Sequence, residues 1–185
     1  MDKIEQYIED MLERQNRVLV AIDGKSGSGK TTLARKLAAK YRANLFHMDD
    51  FFLQPFQRTP ERLSETGGNV DYERFKKEVL EPLLAGKEFS YGVFDCRQQK
   101  ITELKQAGQA NVHIVEGSYS QHPYFGSPYD ITVCLDINAN EQRERIRKRN
   151  GEEMLARFVN EWIPKENAYL EKFHIMERCN IYRKV

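Results

Sequence analysis

The chain has 185 residues with 29 basic and 28 acidic side chains, a formal net charge of +1 and a hydrophobic content of 40%. This length predicts one domain, residues 1–185, that can bury a substantial core, and the balanced charge gives no indication of a nucleic-acid or membrane-surface partner. No apolar run approaches the roughly 20 residues that cross a bilayer, and no signal-peptide core is seen, so a cytoplasmic location is expected.

Apolar periodicity predicts an alternation of helices and strands. Residues 1–16 read as an amphipathic N-terminal helix, because their apolar side chains share one helical face. Strand-like apolar runs follow at residues 18–22, 44–48, 112–116 and 131–136, with segments of helical periodicity between them. This alternation predicts the α/β class, in which helices cover both faces of a mainly parallel sheet.

The segment after the first predicted strand fits the phosphate-binding pattern G-x-x-x-x-G-K-[ST]. Glycines allow successive backbone N–H groups to face one anion, and the following helix directs its positive end at the same point. A chance match in a chain of this length is on the order of one percent, which disfavours an ordinary Gly/Ser loop. We therefore predict that a nucleoside triphosphate is bound by Gly24, Lys25, Ser26, Gly27, Ser28, Gly29, Lys30, Thr31 and Thr32. Lys30 is predicted to reach the β and γ phosphates, and Thr31 to bind Mg²⁺.

Carboxylates stand at or just after the ends of the predicted strands, at Asp23, Asp49, Glu116 and Asp136. The carboxyl ends of parallel strands share one edge of a sheet, so we expect these groups to gather where a metal sits. Asp49 is suited to accept the proton of an attacking hydroxyl and to contact Mg²⁺ directly or through water. Helix caps or solvated loop charges are the alternative interpretation.

An insertion of residues 51–110 separates the second and third predicted strands. It begins as a loop rich in Pro, Gln and Gly and continues as a predicted helix over residues 71–84. Two short runs, 88–94 and 100–106, predict a hairpin of weakly specified register. We interpret the insertion as the lobe that binds the phosphate acceptor.

Residues 141–152 are dense in arginine and lysine and end at a turn formed by Asn150-Gly151, which predicts a hinged lid. Arg145 and Arg149 are four residues apart and so share one helical face. Such arginines can close over a triphosphate and neutralise the charge that shifts in the transition state. An ordinary solvated face is the alternative.

The remaining chemistry-bearing residues are assigned to the core. Cys96, Cys134 and Cys179 are far apart and lack C-x-x-C spacing, which predicts reduced core thiols rather than a zinc site or a disulfide framework. His113 lies inside the third predicted strand and is interpreted as a core or strand-face histidine rather than a catalyst.

Four features together resemble the uridine kinase-like family of P-loop kinases, which includes nicotinamide riboside kinases. They are the phosphate loop, the segment Asp49-Asp50-Phe51-Phe52, the strand end Val115-Glu116-Gly117 and the arginine-rich lid. The resemblance runs from about residue 17 to residue 173. It implies a three-layer P-loop fold, ATP as the phosphoryl donor, Mg²⁺, Asp49 as the base, Arg145 and Arg149 as lid arginines, and Asp71 as the ligand of ribose hydroxyls.

The chain departs from this family where uridine and cytidine kinases read the base with a Tyr-Asp-Phe segment followed by His and Arg. Here the segment is Tyr91-Gly92-Val93-Phe94-Asp95-Cys96-Arg97, without that histidine. Tyr91 and Arg97 are the candidates for contacting the acceptor, and packing of the hairpin is the alternative role.

The expected activity is transfer of the γ-phosphoryl group of ATP to a hydroxyl of a small molecule, a nucleoside by resemblance. The expected catalytic residues are Asp49, Lys30, Arg145 and Arg149, and the expected metal ligands are Thr31, Asp49 and Glu116. An ATPase or nucleotide-dependent switch that acts on a protein partner is the alternative, although the guanine-reading segment N-K-x-D of GTP switches is absent from the sequence.

Overall fold

The computed structural model describes residues 2–185. Its strands are β1 (Val18–Gly24), β2 (Asn44–His47), β3 (Phe89–Asp95), β4 (Lys100–Ala107), β5 (Val112–Glu116), β6 (Ile131–Asp136) and β7 (Ile181–Lys184). Five of them form a sheet in the order β2-β5-β1-β6-β7 with every pair parallel, and β3 and β4 form a separate antiparallel hairpin.

Helices alternate with the strands along the chain. They are α1 (Lys3–Leu12), α2 (Lys30–Tyr41), α3 (Pro60–Ser64), α4 (Tyr72–Phe75), α5 (Glu81–Leu84), α6 (Ala139–Arg157), α7 (Ile163–Lys172) and α8 (Ile175–Arg178). A π-helical stretch, Lys76–Leu80, joins α4 to α5, and a second, Phe158–Trp162, joins α6 to α7. The predicted helix over residues 71–84 is therefore one rod with a π-helical middle.

Burial on both faces explains why the strands are continuous apolar runs. Every residue of β1 and β5 is buried, as expected for strands inside a parallel sheet. Alternate residues serve opposite layers: Val18, Val20 and Ile22 pack in the cluster that includes residues of α1 and α2. Leu19 and Val115 pack in the cluster that includes residues of the rod, the hairpin and α7. The predicted three-layer α/β fold is confirmed.

The sequence did not predict the fifth strand of the sheet. β7 pairs in parallel with β6, from Val133 opposite Ile181 to Asp136 opposite Lys184. The predicted hairpin is present, with a register shift between Val93 and Phe94. None of the helices among residues 2–185 combines the length and the apolar character that crossing a bilayer requires.

The cysteine prediction is right only in part. All three thiols are free, and Cys134 is buried while Cys179 is half-buried. Cys96 is exposed, so the prediction of a core thiol is wrong there. It lies in the turn between β3 and β4, where the chain reverses and no layer covers it.

Candidate active site

The phosphate loop joins the end of β1 to the first turn of α2. Gly24, Gly27 and Gly29 have φ values of 129°, 79° and 91°, a region that side-chain-bearing residues rarely adopt. A Cβ at Gly24 would lie 2.0 Å from the carbonyl oxygen of Leu135. This close approach places the loop at the centre of the sheet, with the amino end of a 12-residue helix facing it.

Lys30 is buried, and its ammonium group hydrogen-bonds the backbone of the loop. Its Nζ donates to the backbone oxygen of Gly24 at 2.7 Å and to that of Lys25 at 3.0 Å. The hydroxyl of Ser28 is buried and has no hydrogen-bond partner among the residues that the structure describes. An unpaired buried hydroxyl beside a lysine and inward-facing amides fits a phosphate ligand. Thr32 lies exposed on the first turn of α2.

Thr31 and Glu116 meet at the adjoining strand end. The Thr31 hydroxyl lies 3.2 and 3.3 Å from the two carboxylate oxygens of Glu116, which is buried. His47 also hydrogen-bonds Glu116 through Nδ1, and this bond raises the pKa of His47. The imidazolium form is thereby favoured, and it holds the carboxylate beside Thr31.

Asp49 follows β2 in a 3₁₀ turn, Met48–Phe51, on the same edge. Solvent reaches its side chain. The protein packed around the group nevertheless raises the pKa of Asp49, and the negative charge of Glu116 adds to the rise, against the opposing charges of Lys30 and His47. The neighbouring Asp50 instead pairs with Lys105 at 3.2 Å.

The side chains at this edge of the sheet offer oxygen ligands of the kind that a hard divalent cation prefers. No group of three or more His, Cys, Asp or Glu side chains that could hold a metal occurs in residues 2–185. Mg²⁺ at phosphate-transfer sites takes one or two carboxylates and fills its shell with phosphate and water oxygens. The hydroxyl of Thr31 with the carboxylates of Glu116 and Asp49 fits that requirement.

Two of the four strand-end carboxylates do not join this group, and the expectation that all four gather is wrong. Asp23 is fully buried and accepts hydrogen bonds from Gly24 N, Gln121 N and the Tyr169 hydroxyl. Asp136 pairs with Lys25 at 2.8 Å. Both carboxylates are satisfied by neighbours in the fold, because buried acceptors need partners.

The lid segment lies against the phosphate loop through α6. Arg145 donates to the backbone oxygen of Gly27 at 3.1 Å and pairs with Glu141. Arg149 is one turn further on, where it hydrogen-bonds Asn150 and lies 5.9 Å from the Phe158 ring. Arg145 therefore contacts the phosphate loop, whereas Arg149 contacts Asn150 at the Asn150-Gly151 turn.

Gly151 interrupts the regular backbone of α6 with φ 83° and ψ 172°. This break lies at the predicted Asn150-Gly151 turn. Gln142, which the sequence did not single out, is buried and donates from Nε2 to the backbone oxygen of Ser26 at 2.9 Å. Its spacing of three residues from Arg145 is the signal that could have identified it.

The three residues predicted to contact the acceptor, Asp71, Tyr91 and Arg97, lie in different surroundings. Asp71 is buried at the start of α4, where it caps the helix through Arg74 N and accepts from Gln57 Nε2 at 2.8 Å. It lines an open groove of about 410 Å³. Tyr91 is enclosed and stacks on Phe51 with 5.7 Å between ring centroids, which agrees with a packing role.

Arg97 is exposed in the hairpin turn, and within residues 2–185 its hydrogen bond is the one that its backbone N–H donates to Asp95. Partial burial raises the pKa of Cys96, the residue before Arg97, and the negative charge of Asp49 adds to the rise. The hairpin contacts the 3₁₀ turn that carries Asp49 through the stacking of Tyr91 on Phe51.

The main residue that sequence reasoning missed is Glu166 on α7. It is buried and accepts hydrogen bonds from the phosphate loop and from Ser118. In the sequence it stands in a helix rich in charged residues, where a surface glutamate is the ordinary expectation. Its spacing of three and four residues from Tyr169 and Leu170, which are also buried, is the only local signal.

Most of the chain is similar to known proteins. The family model described as AAA domain matches residues 20–174. The chain is similar to uridine kinase from Brevibacillus brevis, with 27% identity over 148 residues, 75% of this chain and 68% of that protein. It is 25% identical over 120 residues to uridine-cytidine kinase C from Dictyostelium discoideum, spanning 64% of this chain and 26% of that protein. The match therefore covers only about a quarter of the Dictyostelium protein.

Solved structures give the same fold. A possible uridine kinase from Bacillus stearothermophilus superposes with a TM-score of 0.70 at 20% identity, over 98% of this chain and 99% of that chain. D-glycerate 3-kinase from Cryptococcus neoformans superposes with a TM-score of 0.62 at 14% identity, over 88% of this chain and 86% of that chain. At these identities the likeness shows the P-loop kinase fold and leaves the acceptor open.

Proposed function

The chain belongs to the AAA domain family and is a uridine kinase-like P-loop kinase, and from this premise we propose that it transfers the γ-phosphoryl group of ATP to a hydroxyl of a nucleoside-like small molecule. The observation that carries the proposal is the meeting, on one sheet edge, of Lys30, the Thr31–Glu116 pair and Asp49. Phosphate binding and a base for an alcohol are then adjacent.

Binding of the triphosphate is assigned to the loop and its lysine. Lys30 exchanges its two backbone contacts for phosphate oxygens, and the amides of Gly27, Gly29, Lys30 and Thr31 donate to the anion. The buried Ser28 hydroxyl gains the partner it lacks within the described chain. Thr31, Glu116 and Asp49 would hold Mg²⁺, which would neutralise part of the phosphate charge.

Asp49 is assigned the role of the base that accepts the proton of the acceptor hydroxyl. As the acceptor oxygen forms its bond to the γ phosphorus, the bond from that phosphorus to the bridging oxygen breaks and ADP departs. The hydroxyl proton passes to the Asp49 carboxylate. Its raised pKa makes this carboxylate a stronger base than an ordinary aspartate, which suits the transfer.

The lid arginines are assigned to the transferred charge. Arg145 already contacts the loop at Gly27, and the break at Gly151 gives the segment a point of rotation. Closure of the lid brings positive charge to the phosphates and excludes water, which protects ATP from hydrolysis.

The acceptor is assigned to the insertion, residues 51–110. Asp71 and Gln57 offer carboxylate and amide groups at the open groove, and such groups hydrogen-bond vicinal hydroxyls. Two relatives are named as uridine and uridine-cytidine kinases, which supports a nucleoside. The missing base-reading histidine points to a base other than a pyrimidine, and Arg97 is the candidate contact near Asp49.

Release of ADP from Mg·ATP tests the proposal when it is measured across nucleosides, nicotinamide riboside, pantothenate and simple sugars. Lys30→Ala serves as the blank. Strong stimulation by a nucleoside is the expected result. Stimulation by a sugar or pantothenate alone would support kinase activity but contradict the proposed nucleoside acceptor. If ATP is hydrolysed slowly, no small molecule stimulates the reaction and a protein partner accelerates it, the proposal of a kinase is wrong. The protein would then be an ATPase driven by that partner.

A further inference from the structure

A buried carboxylate from the far end of the chain is bonded directly to the phosphate loop. Glu166 on α7 is 5% exposed and accepts the backbone N–H of Ser26 at 2.9 Å. It also accepts the hydroxyl of Ser26 and, at 2.9 Å, the hydroxyl of Ser118. Three donors therefore converge on one carboxylate, which satisfies a charge that would otherwise be costly to bury.

The same helix makes a second contact with the loop. Tyr169, three residues after Glu166 and so on the same face of α7, donates to Asp23 Oδ2 at 2.7 Å. The other oxygen of Asp23 accepts the N–H of Gly24 at 2.7 Å. Helix α7 is thus connected to the first residue of the loop as well as to Ser26.

Glu166 also connects the loop to the strand end that carries the candidate metal ligand. Ser118 lies two residues after Glu116, and its hydroxyl is 3.4 Å from the backbone oxygen of Gly24. One carboxylate therefore bonds both the phosphate loop and the segment after β5. It adds to the sheet pairing that already places Ile22 near the end of β1 opposite Glu116.

The charge of Glu166 and its contacts have opposite effects on nucleotide binding. A negative charge bonded to the loop repels a triphosphate, so electrostatics alone predicts that its removal tightens binding. Ordering of the loop predicts the reverse, because a loop that is already held in its binding shape loses less entropy when the ligand arrives.

We propose that Glu166 is a positioning residue that holds the phosphate loop in its nucleotide-binding shape by bonding Ser26 and Ser118. This inference rests on the proposed kinase function. The contact geometry favours ordering over repulsion, since Glu166 holds both the amide and the hydroxyl of Ser26 and, through Ser118, the segment after β5. Ser26 N–H is thereby committed to Glu166, and Ser28 N–H donates to the backbone oxygen of Lys25 at 3.2 Å. The amides of Gly27, Gly29, Lys30 and Thr31 are left for the phosphates.

Calorimetric binding of Mg·ADP and Mg·AMP-PNP to Glu166→Gln tests this role without an identified acceptor. The expected result is binding of both nucleotides about tenfold weaker than in the wild-type chain, as loss of a charge-assisted hydrogen bond predicts. Ser118→Ala removes one of the three donors and should weaken binding two- to threefold in the same direction. Glu171→Gln, an exposed glutamate on the same helix, is the matched control and should bind as the wild type does.

With the acceptor found, Glu166→Gln should raise the KM for ATP and leave the KM for the acceptor unchanged. Equal or tighter nucleotide binding in Glu166→Gln overturns the inference and assigns the residue to fold stability alone. If Glu166→Gln does not fold, unchanged binding in Ser118→Ala overturns it instead. Failure of the wild-type chain itself to bind nucleotide any better than Lys30→Ala overturns the proposed function and this inference together, so the two failures are distinguishable.

Discussion

Two tyrosine–aspartate hydrogen bonds of equal length allow the effect of burial to be measured inside one molecule. Tyr169 donates to Asp23 at 2.7 Å, with exposed fractions of 1% and 0%. Tyr182 donates to Asp136 at 2.7 Å, but Tyr182 is 48% exposed. Replacement of either tyrosine by phenylalanine keeps the ring and removes one hydroxyl, so the two variants differ chiefly in access to water.

The structure sets the expected size of each effect. In Tyr169→Phe, Asp23 Oδ2 keeps the Gln121 N–H at 3.0 Å as its only remaining donor. Loss of a buried hydrogen bond to a charged group costs about 1.5–3 kcal/mol, and one retained donor places the loss near about 2 kcal/mol. At roughly 2–4 °C per kcal/mol for a chain of this size, the Tm falls by about 4–8 °C. In Tyr182→Phe water replaces the hydroxyl, and the expected loss is below about 0.5 kcal/mol.

Urea unfolding at neutral pH, followed by circular dichroism, measures both free energies, and calorimetry gives the Tm. Burial raises the pKa of Asp23, and the Tyr169 hydroxyl acts against that rise. The difference between Tyr169→Phe and the wild type is therefore expected to narrow as the pH falls and Asp23 takes up a proton. Equal losses in the two phenylalanine variants, or a larger loss in Tyr182→Phe, would refute the reasoning from burial.

Three further outcomes are expected. Asp49→Asn should still bind ATP through the phosphate loop and should lose about 10²–10⁴-fold in turnover, and normal turnover would remove Asp49 from the role of base. Gly24→Ala should prevent stable folding, because its Cβ would lie 2.0 Å from a backbone oxygen, whereas Gly29→Ala meets no atom within 4 Å and should cost only about 1–3 kcal/mol of strain in thermal unfolding. Arg183 lowers the pKa of Asp2 below 3.8. Arg183→Gln should therefore lose up to about 1 kcal/mol at neutral pH, and urea titrations should show this loss disappearing as the pH falls below 3.8.

Features encoded in short stretches were predictable from the sequence. The bounds of β5 and β6 agree with those predicted, because buried parallel strands are recognisable as apolar runs. The loop from Gly24 to Thr31 is a contiguous motif whose glycines have the backbone angles that the motif requires. β7 escaped prediction because it is a four-residue edge strand in which Ile181 alone is buried.

Contacts between distant residues were not predictable. Glu166 and Ser26 are 140 positions apart, and Tyr169 and Asp23 are 146 apart, so no local pattern links them. The same limit applies to Asp136, whose position at a strand end suggested a metal site until its pairing with Lys25 was seen. A strand-end carboxylate is equally suited to a metal or to a neighbouring cation, and only the three-dimensional neighbours decide between them.

The pairing of β2 with β5 has a consequence for how such kinases diversify. His47 lies opposite Glu116 in adjacent strands, although the whole insertion of residues 51–110 separates them along the chain. A segment that leaves a sheet at one strand and re-enters it at the neighbouring strand can vary in length, since doubling the length of a flexible loop costs only about 0.6 kcal/mol in closure entropy. We call such an exchangeable segment a cassette. The rod and the hairpin of this segment also pack in one cluster with Leu19 of β1 and Val115 of β5, so an exchanged cassette must keep an apolar face toward the sheet. Under the proposed function, sequence changes within this one segment would redirect phosphoryl transfer to another alcohol, while the phosphate loop is inherited unchanged.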